Sequence, residues 1–277
     1  MTFAEKVELS LRKKFHKEIF SKFCKGINEY DLIQPNDKIA VCISGGKDSW
    51  LMAKLFQELK KHNKFPFELV FLVMDPGYNK ANREMIENNA KKLNVPITIF
   101  ETNIFDSVFN VEKSPCYLCA RMRRGYLYNE AQKLGCNKIA LGHHYDDVIE
   151  TILMGMLYGA QIQTMMPKLH STNFEGMELI RPMCLIKEKD IINWMHYSEF
   201  SAMSCGCAIT SNDLPSRRRD VKNLIKELKK DFDDVDMNIY RSAENVNLNS
   251  CLSWKIGDKK SSFKDYYDNN NLDEDDM

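Results

Sequence analysis

Three features common in other protein classes are missing from this chain of 277 residues: a long apolar run, a net charge and a disulfide-type cysteine pattern. No stretch approaches the ~20 apolar residues that span a membrane, and the amino terminus lacks the apolar core of a signal peptide. The nine cysteines are an odd number in a chain without that signal, so they do not form a disulfide framework. We therefore expect a cytoplasmic protein that does not contact a membrane.

Basic and acidic residues are equal in number, 39 of each, which at first argues against a nucleic-acid partner. The charges are unevenly distributed, however. Residues 265–277 carry six acids and no base, and without them 39 basic residues stand against 33 acidic ones. The segment 258–277 is predicted to be a disordered acidic tail, because it has few apolar residues to bury.

A pair of glycines stands between two regular segments. The apolar, β-branched residues 39–43 predict a buried strand, and the spacing of apolar residues over 50–59 predicts a helix. A glycine turn at this junction binds anions, because backbone N–H groups curl round phosphate oxygens and the helix amino terminus adds partial positive charge. An ordinary glycine turn is the alternative, and the spacing is not that of the GxxxxGK[ST] loop. The turn consists of Ser44, Gly45, Gly46, Lys47, Asp48 and Ser49.

Strands alternate with helices through the first two thirds of the chain. Further strands are predicted at 67–74, 97–100 and 138–141, with a short one at 178–182 and a helix at 82–93. This alternation indicates an α/β fold with a doubly wound parallel sheet, in which ligands bind beyond the carboxyl ends of the strands. The residues that emerge at those ends are Ser44, Asp75 and Gly142.

Helical additions flank this sheet on both sides. Apolar residues recur at helical spacing over 3–28, and later helices are predicted at 186–197, 221–230 and 239–246. We divide the chain into an amino-terminal amphipathic helix, an α/β domain, a carboxy-terminal helical extension and the tail. Their bounds are 1–30, 31–200, 201–257 and 258–277.

Cys116 and Cys119 form a Cys-x-x-Cys pair at the start of a predicted helix. The helix amino terminus and nearby arginines favour thiolates, which bind metals. The pair has three functional interpretations: structural zinc, a redox disulfide or an iron–sulfur cluster. The alternative is an isolated cysteine pair with a purely structural role. Cys205 and Cys207 could supply one further ligand or two. With one, three protein thiolates would leave an open metal position suited to chemistry.

Two histidines and two acids follow the strand at 138–141. Gly142 at the strand end admits close approach of a base or ribose, and acids at a helix start are favoured by the helix dipole. Helix capping is the alternative role for Asp146 and Asp147, as hydrogen bonding is for His143 and His144. We discount a metal cluster here, because four ligands so close in sequence cannot all converge.

With these residues in view, the chain resembles the tRNA 2-thiocytidine synthetase family. That family belongs to the cluster-dependent tRNA 2-thiolation enzymes within the PP-loop N-type ATP pyrophosphatases. The resemblance covers about residues 38–257. The segments that carry it are 44–49, 116–128, 141–147, 166–169, 181–182, 188–191 and 242–246.

The resemblance implies an enzyme that depends on ATP and Mg²⁺ and carries a [4Fe–4S] cluster on three cysteines. ATP would activate the C2 oxygen of a tRNA pyrimidine, cytidine 32, as an adenylate, and sulfide held on the cluster would displace AMP. The implied partners are tRNA and a sulfur donor, either a cysteine desulfurase or free sulfide. The family also implies a homodimer.

The resemblance also implies a role for each matching residue. Residues 44–49 would hold the pyrophosphate, with Asp48 binding magnesium as part of the catalytic set, and Asp75 and Gly142 would contact the nucleotide. Arg123 and Asp147 would lie near the reacting atoms. A guanidinium stays charged, so Arg123 could stabilise an adenylate but could not serve as a base. The implied cluster ligands are Cys116, Cys119 and Cys205.

Two departures from the family pattern stand out. The late cysteines are spaced Cys205-x-Cys207 rather than Cys-x-x-Cys, so the third ligand lies open between them, and we favour Cys205. The segment 75–78 also differs and is compatible with a subgroup whose substrate is not cytidine. Two alternative functions remain at this point: a sulfur transferase or desulfurase acting on a small molecule, and a nucleotide-binding iron–sulfur sensor.

Overall fold

The computed structural model describes residues 1–62, 65–105, 115–203, 217–265 and 267, and leaves the side chains of 115–117 undescribed. A six-stranded sheet forms its centre. The strands are β1 (Lys38–Ile43), β2 (Glu68–Asp75), β3 (Ile97–Glu101), β4 (Lys138–Ala140), β5 (Lys168–His170) and β6 (Glu178–Ile180). The helices are α1 (Phe3–Arg12), α2 (Ser21–Glu29), α3 (Lys47–Lys61), α4 (Lys80–Leu93), α5 (Pro115–Lys133), α6 (Tyr145–Gly159), α7 (Glu188–Tyr197), α8 (Arg217–Asp231) and α9 (Val235–Ser242).

The strand order is β3-β2-β1-β4-β6-β5. Every pairing is parallel except that of β5 with β6, and β5 is a strand that the sequence analysis did not predict. The chain runs from β1 outward to β3 and then returns to the other side of β1. The carboxyl ends of β1 and β4 therefore form the topological switch point, where doubly wound sheets bind their ligands. The predicted fold class is confirmed.

The sheet is covered on both faces. On β1, Ile39 and Val41 belong to the larger core cluster, which also holds side chains of α1, α2, α3, α4 and α7. Ala40 and Cys42 point to the opposite face and pack with Tyr128 of α5. Successive side chains of a strand point to opposite faces, so a strand buried on both must be apolar throughout. No helix among the described ranges is long and apolar enough to cross a membrane.

The amino-terminal segment corrects the prediction of one helix over 3–28. α1 ends at Arg12, a π-helical turn covers His16–Phe20, and α2 follows. The buried apolar residues of this segment are spaced by four, which in an α-helix drifts by about 40° per step. A wider π turn offsets this drift, so one face stays against the core. These residues are Leu11, Phe15, Ile19, Phe23 and Ile27.

The carboxy-terminal additions also differ from prediction in their bounds. α8 begins four residues before the predicted 221, and α9 covers Val235–Ser242 rather than 239–246. A hairpin of β7 (Ser253–Ile256) and β8 (Lys259–Ser262) follows. Its second strand lies within the segment 258–277 that we predicted to be a disordered tail, so regular structure extends beyond that boundary. Residues 268–277 lie outside the described ranges.

Candidate active site

The glycine turn at the end of β1 has a backbone that only glycine adopts without strain. Gly45 has φ +86°, and a Cβ there would lie 3.1 Å from side-chain atoms of Ile86 and Met203. Its carbonyl accepts hydrogen bonds from the backbone N–H of Met203 at 3.0 Å and from Nε1 of the buried Trp50 at 3.1 Å. The core of the protein thus holds the turn in place.

The turn leads into α3 without a side-chain cap. Gly46 occupies the capping position, and among the described residues no side chain accepts hydrogen bonds from the first N–H groups of the helix. Ser49 Oγ donates to the Gly46 carbonyl at 2.8 Å and accepts from the Ser44 N–H at 3.2 Å, which fixes the turn internally. A helix amino terminus that no described side chain caps fits a phosphate group.

A cleft of about 450 Å³ opens at the switch point between the ends of β1 and β4. It brings together six of the residues predicted from sequence, which come from three separate parts of the chain. They are Ser44, Asp48, Ser49, Arg123, Gly142 and Asp147. Three further lining residues, His143, Arg124 and Arg218, were not among the predicted site residues. Arg218 stands in a run of three arginines at 217–219, a basic pattern that could track a phosphate backbone but does not reveal which site it approaches.

Lys47 lies in a network of carboxylates beside the turn. Its Nζ is 3.1 Å from Asp48 Oδ2 and 3.3 Å from Glu188 Oε1, and Lys222 contacts the other oxygen of Glu188. Burial raises the pKa of Glu188, but the hydrogen bond from Lys222 and the charge of Lys47 lower it to about 2. Glu188 is therefore ionised and links the turn to α8. Sequence reasoning assigned no role to Glu188.

Asp48 offers an oxygen that suits a magnesium ion. Its Oδ1 is buried and has no hydrogen-bond partner among the described residues, while Oδ2 faces Lys47. Buried carboxylate oxygens without partners are rare because their desolvation is uncompensated. Mg²⁺ prefers such hard oxygen ligands together with substrate phosphates, so this residue fits the ion that the family implies.

Asp147 both caps a helix and lines the cleft. Its Oδ2 accepts from the His144 N–H at 3.0 Å, and His144 Nδ1 accepts from the Asp147 N–H at 3.4 Å. Its other oxygen, Oδ1, accepts from Arg218 Nη1 at 2.7 Å. The capping alternative therefore holds for Oδ2 of Asp147, which forms the helix cap together with His144. The other oxygen, Oδ1, lies in the cleft.

Asp146 and His143, which neighbour this capping pair, have different roles. Asp146 Oδ2 accepts from the Glu188 N–H at 2.7 Å and so fixes the start of α7. His143 lines the cleft, and its buried Nδ1 has no partner among the described residues. Burial lowers the pKa of His143 to about 4, so its imidazole is neutral at pH 7. A neutral imidazole can donate or accept a hydrogen bond.

The structure gives Asp75 and Gly142 structural duties. Asp75 accepts hydrogen bonds from the N–H groups of Gly77 and Tyr78 at 2.9 and 2.7 Å, and from Arg83 Nη1 at 2.7 Å. It is absent from the cleft lining. A Cβ on Gly142 would lie 3.4 Å from backbone atoms of α3, so a glycine lets the β4 end pack closely there. Nucleotide contact by either residue stays a prediction.

The cysteines can be placed only in part. Cys119 is half-buried on α5, beside Met74 and Met122, and Arg123 lies one turn further along the same helix. Cys116 is in the first turn of α5, but its side chain lies outside the described part of the structure, as do Cys205 and Cys207. Within the described ranges, no three His, Cys, Asp or Glu side chains are grouped to hold a metal. The three-cysteine set stays a prediction.

A glycine turn at the switch point of a doubly wound sheet, with an uncapped helix behind it, defines a nucleotide-binding protein of the PP-loop type. Residues 13–202 match the family model described as a PP-loop domain. The U34-tRNA thiolase NcsA from Methanococcus maripaludis, solved with its [4Fe–4S] cluster, aligns with a TM-score of 0.64. The alignment covers 81% of this chain and 76% of NcsA at 22% identity, a likeness that shows the fold.

Curated relatives are closer in sequence. The tRNA-cytidine(32) 2-sulfurtransferase of Neisseria meningitidis serogroup C / serotype 2a is 35% identical over 223 residues, which covers 79% of this chain and 69% of the relative. The Coxiella burnetii (strain CbuG_Q212) enzyme of the same name is 35% identical over 249 residues, covering 88% and 95%. The chain belongs to this family of PP-loop proteins.

Proposed function

We propose that this protein is an ATP-dependent tRNA sulfurtransferase that replaces the C2 oxygen of cytidine 32 by sulfur. The observation that carries the proposal is the cleft at the switch point. It joins the turn at residues 44–49 to Arg123 of the cysteine-bearing helix and to Asp147. Nucleotide-binding groups and the helix of the predicted sulfur-carrying site therefore border one space, as a reaction that spends ATP to exchange oxygen for sulfur requires.

The turn binds the phosphates of ATP in this proposal. The N–H groups at the start of α3 and the Ser44 hydroxyl donate to phosphate oxygens, and Lys47 supplies a positive charge beside them. Asp48 would hold Mg²⁺, which neutralises phosphate charge when bound. Adenylation forms a bond from the C2 oxygen to the α-phosphorus and breaks the bond to pyrophosphate. The pyrophosphate leaves on the side of the turn.

The guanidinium groups of Arg123 and Arg218 also line the cleft, where they would stabilise the negative charge that develops on the substrate. Arg123 makes no hydrogen bond or ion pair within the described residues, so its donors are available to the adenylate. Arg218 is oriented by Asp147 at 2.7 Å. Preorganised charges of this kind stabilise a transition state without rearranging when it forms. Neither arginine serves as a base, because a guanidinium does not give up its proton in this pH range.

Sulfur delivery is assigned to the cysteines. Cys116, Cys119 and Cys205 would hold a [4Fe–4S] cluster, which would supply sulfide; the carbon–sulfur bond would form at C2 as the bond from C2 to the oxygen of AMP breaks. We also propose that a cysteine desulfurase or free sulfide replenishes the sulfur, that the enzyme is a homodimer and that it works in the cytoplasm. Cys119 supports the cluster assignment, since its helix also provides Arg123 to the cleft.

Mass spectrometry of tRNA nucleosides tests the function directly. A strain lacking this gene should lose 2-thiocytidine, and the wild-type gene should restore it, whereas the Lys47→Ala gene should not. Cys205→Ser should also fail, and Cys207→Ser should restore the nucleoside. If every thiolated nucleoside persists in the deletion strain, the assignment to tRNA is wrong. Protein purified without oxygen should carry about four irons per chain.

A further inference from the structure

A second groove lies beside the cleft, on the other side of α5. It has a volume of about 570 Å³ and runs between the middle of α5 (residues 120–128) and the segment 169–174. Tyr128 and Phe174 line it as a stacked pair, with ring centroids 5.1 Å apart and planes within 12°. The small polar side chains of Ser171, Thr172 and Asn173 complete one wall. The groove therefore combines aromatic surface with hydrogen-bonding groups.

The charged side chains that line the described part of the groove are positive. No Asp or Glu is among its described lining residues, whereas Arg121 and Arg124 both reach it and are exposed. Neither arginine has a hydrogen-bond or ion-pair partner within the described residues. Other arginines do pair with carboxylates, as Arg83 does with Asp75 and Arg12 with Glu58. Two arginines without such partners in one groove indicate an anionic ligand.

A buried arginine behind the groove strengthens this interpretation. Arg181 follows β6, and one of its nitrogens, Nε, is buried without a partner in the described part of the chain. Burial and the positive charge of Arg124 lower the pKa of Arg181 to about 10. Two guanidiniums thus repel each other here, and a bound anion would relieve that repulsion.

Arg124 connects the groove to the cleft, because it lines both. We propose that the groove holds the RNA chain adjoining the target nucleotide, with its phosphates on Arg121 and Arg124. The uncharged polar wall then contacts sugar hydroxyls and base edges, and the target base enters the cleft on the far side of Arg124. The groove assignment rests on the proposed function, since it requires an RNA substrate. It matches how proteins bind RNA near a reacting base, by phosphate contacts and hydrogen bonds to unpaired nucleotides.

Binding of an unmodified tRNA transcript to the purified full-length protein tests the groove. Arg121→Ala should weaken binding about five-fold and reduce the slope of log affinity against log salt by about 0.7 to 0.9, since one phosphate contact is lost. Asn173→Ala should weaken binding while leaving the slope unchanged. Lys60→Ala is the matched control: it removes an exposed charge at the far end of α3, about 20 Å along the helix from the turn. It should bind like the wild type.

ATP binding, measured by equilibrium dialysis on the same proteins, separates the groove from the cleft. Arg121 does not line the cleft, so Arg121→Ala should bind ATP with unchanged affinity. If the wild type binds tRNA and Arg121→Ala matches it in affinity and salt slope, the groove assignment is overturned and the proposed function stands. If the wild type itself does not bind tRNA, the proposed function fails first.

Discussion

The two ends of the central sheet both bury charged side chains, yet they treat them differently. At the amino end, Lys138 contacts Glu178 and lies 3.4 Å from Asp37, which also accepts from Asn137 Nδ2 at 2.7 Å. At the carboxyl end, polar atoms are left over among the described residues. The unpartnered buried atoms there are Asp48 Oδ1, His143 Nδ1 and Arg181 Nε.

This difference in pairing distinguishes buried charges that stabilise the fold from buried charges that are available to a ligand. Burial and residue type are alike at both ends. Among the described residues, Lys138, Asp37 and Glu178 satisfy one another at the amino end, whereas Asp48 and His143 at the carboxyl end keep polar atoms whose desolvation no described group compensates. Of the three residues at the carboxyl end, Asp48 and His143 line the cleft, whereas Arg181 lies behind the neighbouring groove; the other unpartnered buried atoms, on Glu58, Thr164, Trp194 and Ser198, are scattered and do not line the cleft. Incomplete pairing around one cleft is therefore the mark of the site.

The largest effect is expected from removing the ammonium at the turn. Lys47→Ala should lower ATP-dependent thiolation about 100-fold or more, because the phosphates lose a charge-assisted contact in the transition state. Glu188 keeps its partner Lys222, so the fold should hold. Single-turnover thiolation of tRNA measures the loss. Lys60→Ala, with wild-type activity expected, controls for charge; a Lys47→Ala enzyme of normal rate would contradict the site.

One substitution at each end of the sheet tests directly whether the amino-end charges serve stability and the carboxyl-end charges serve activity. Asp48→Asn should lower activity about 100-fold, since a neutral amide binds Mg²⁺ poorly, with little loss of stability. Lys138→Met should do the reverse. It leaves Asp37 and Glu178 without their shared cation and should cost about 3 kcal/mol of unfolding free energy.

Urea denaturation and the KM for ATP, measured on both variants, read out the pair. Lys138→Met should keep the wild-type KM, because the amino end lies across the sheet from the cleft. The distinction between the two ends is wrong if Asp48→Asn lowers the free energy of unfolding while Lys138→Met lowers only activity.

Glu150, near the cleft, and Glu178, at the amino end, should affect stability in opposite directions as pH rises. Burial raises the pKa of Glu150, near the cleft, to about 7, with the Arg218 charge only partly opposing it. Burial also raises the pKa of Glu178, but its hydrogen bond with Lys138 outweighs this and lowers the pKa overall. Between pH 4.5 and 7 the folded protein therefore holds a proton on Glu150 that the unfolded chain releases, so this residue costs stability as pH rises.

Glu150→Gln should remove that cost. The variant and the wild type should have similar unfolding free energies at pH 5, and the variant should be more stable by about 1 to 2 kcal/mol at pH 8, after allowance for solvent screening. Urea denaturation at the two pH values measures this. Glu178→Gln should show the opposite sign at pH 8, because its depressed pKa contributes stability above pH 4.5.

The smallest effect concerns the residue that positions Lys47. Glu188→Gln keeps the shape and the contact with Lys222 but removes the charge that holds the ammonium 3.3 Å away. The KM for ATP should rise about five-fold with kcat changed less, since the ammonium loses an orienting charge rather than a reacting group. Steady-state kinetics checks this, and Glu188→Asp should partly rescue it. A fall in kcat alone would show that Glu188 acts on the chemistry instead.

Local sequence predicted the parts of this protein that local physics controls. The apolar run before the turn predicted a buried strand, and the glycine pair after it predicted a turn, in which the structure gives Gly45 a positive φ. The alternation of strands and helices then placed the candidate site at the carboxyl ends. Backbone conformation and burial follow from neighbouring residues, so these inferences needed no tertiary information. The single helix predicted over 3–28 failed because a strict spacing of four looks helical whether or not a π turn interrupts it.

Only the tertiary structure decided which distant side chains meet at the site. Lys47 and Glu188 lie 141 residues apart in sequence, and Arg218 and Asp147 lie 71 apart. Such pairings depend on the order of strands in the sheet and on how α8 packs over α6, which no periodicity encodes. The same holds for Arg124, which lines both cleft and groove only because of where α5 lies. The sequence alone predicted a phosphate site after β1, and the fold placed the charged side chains that surround it.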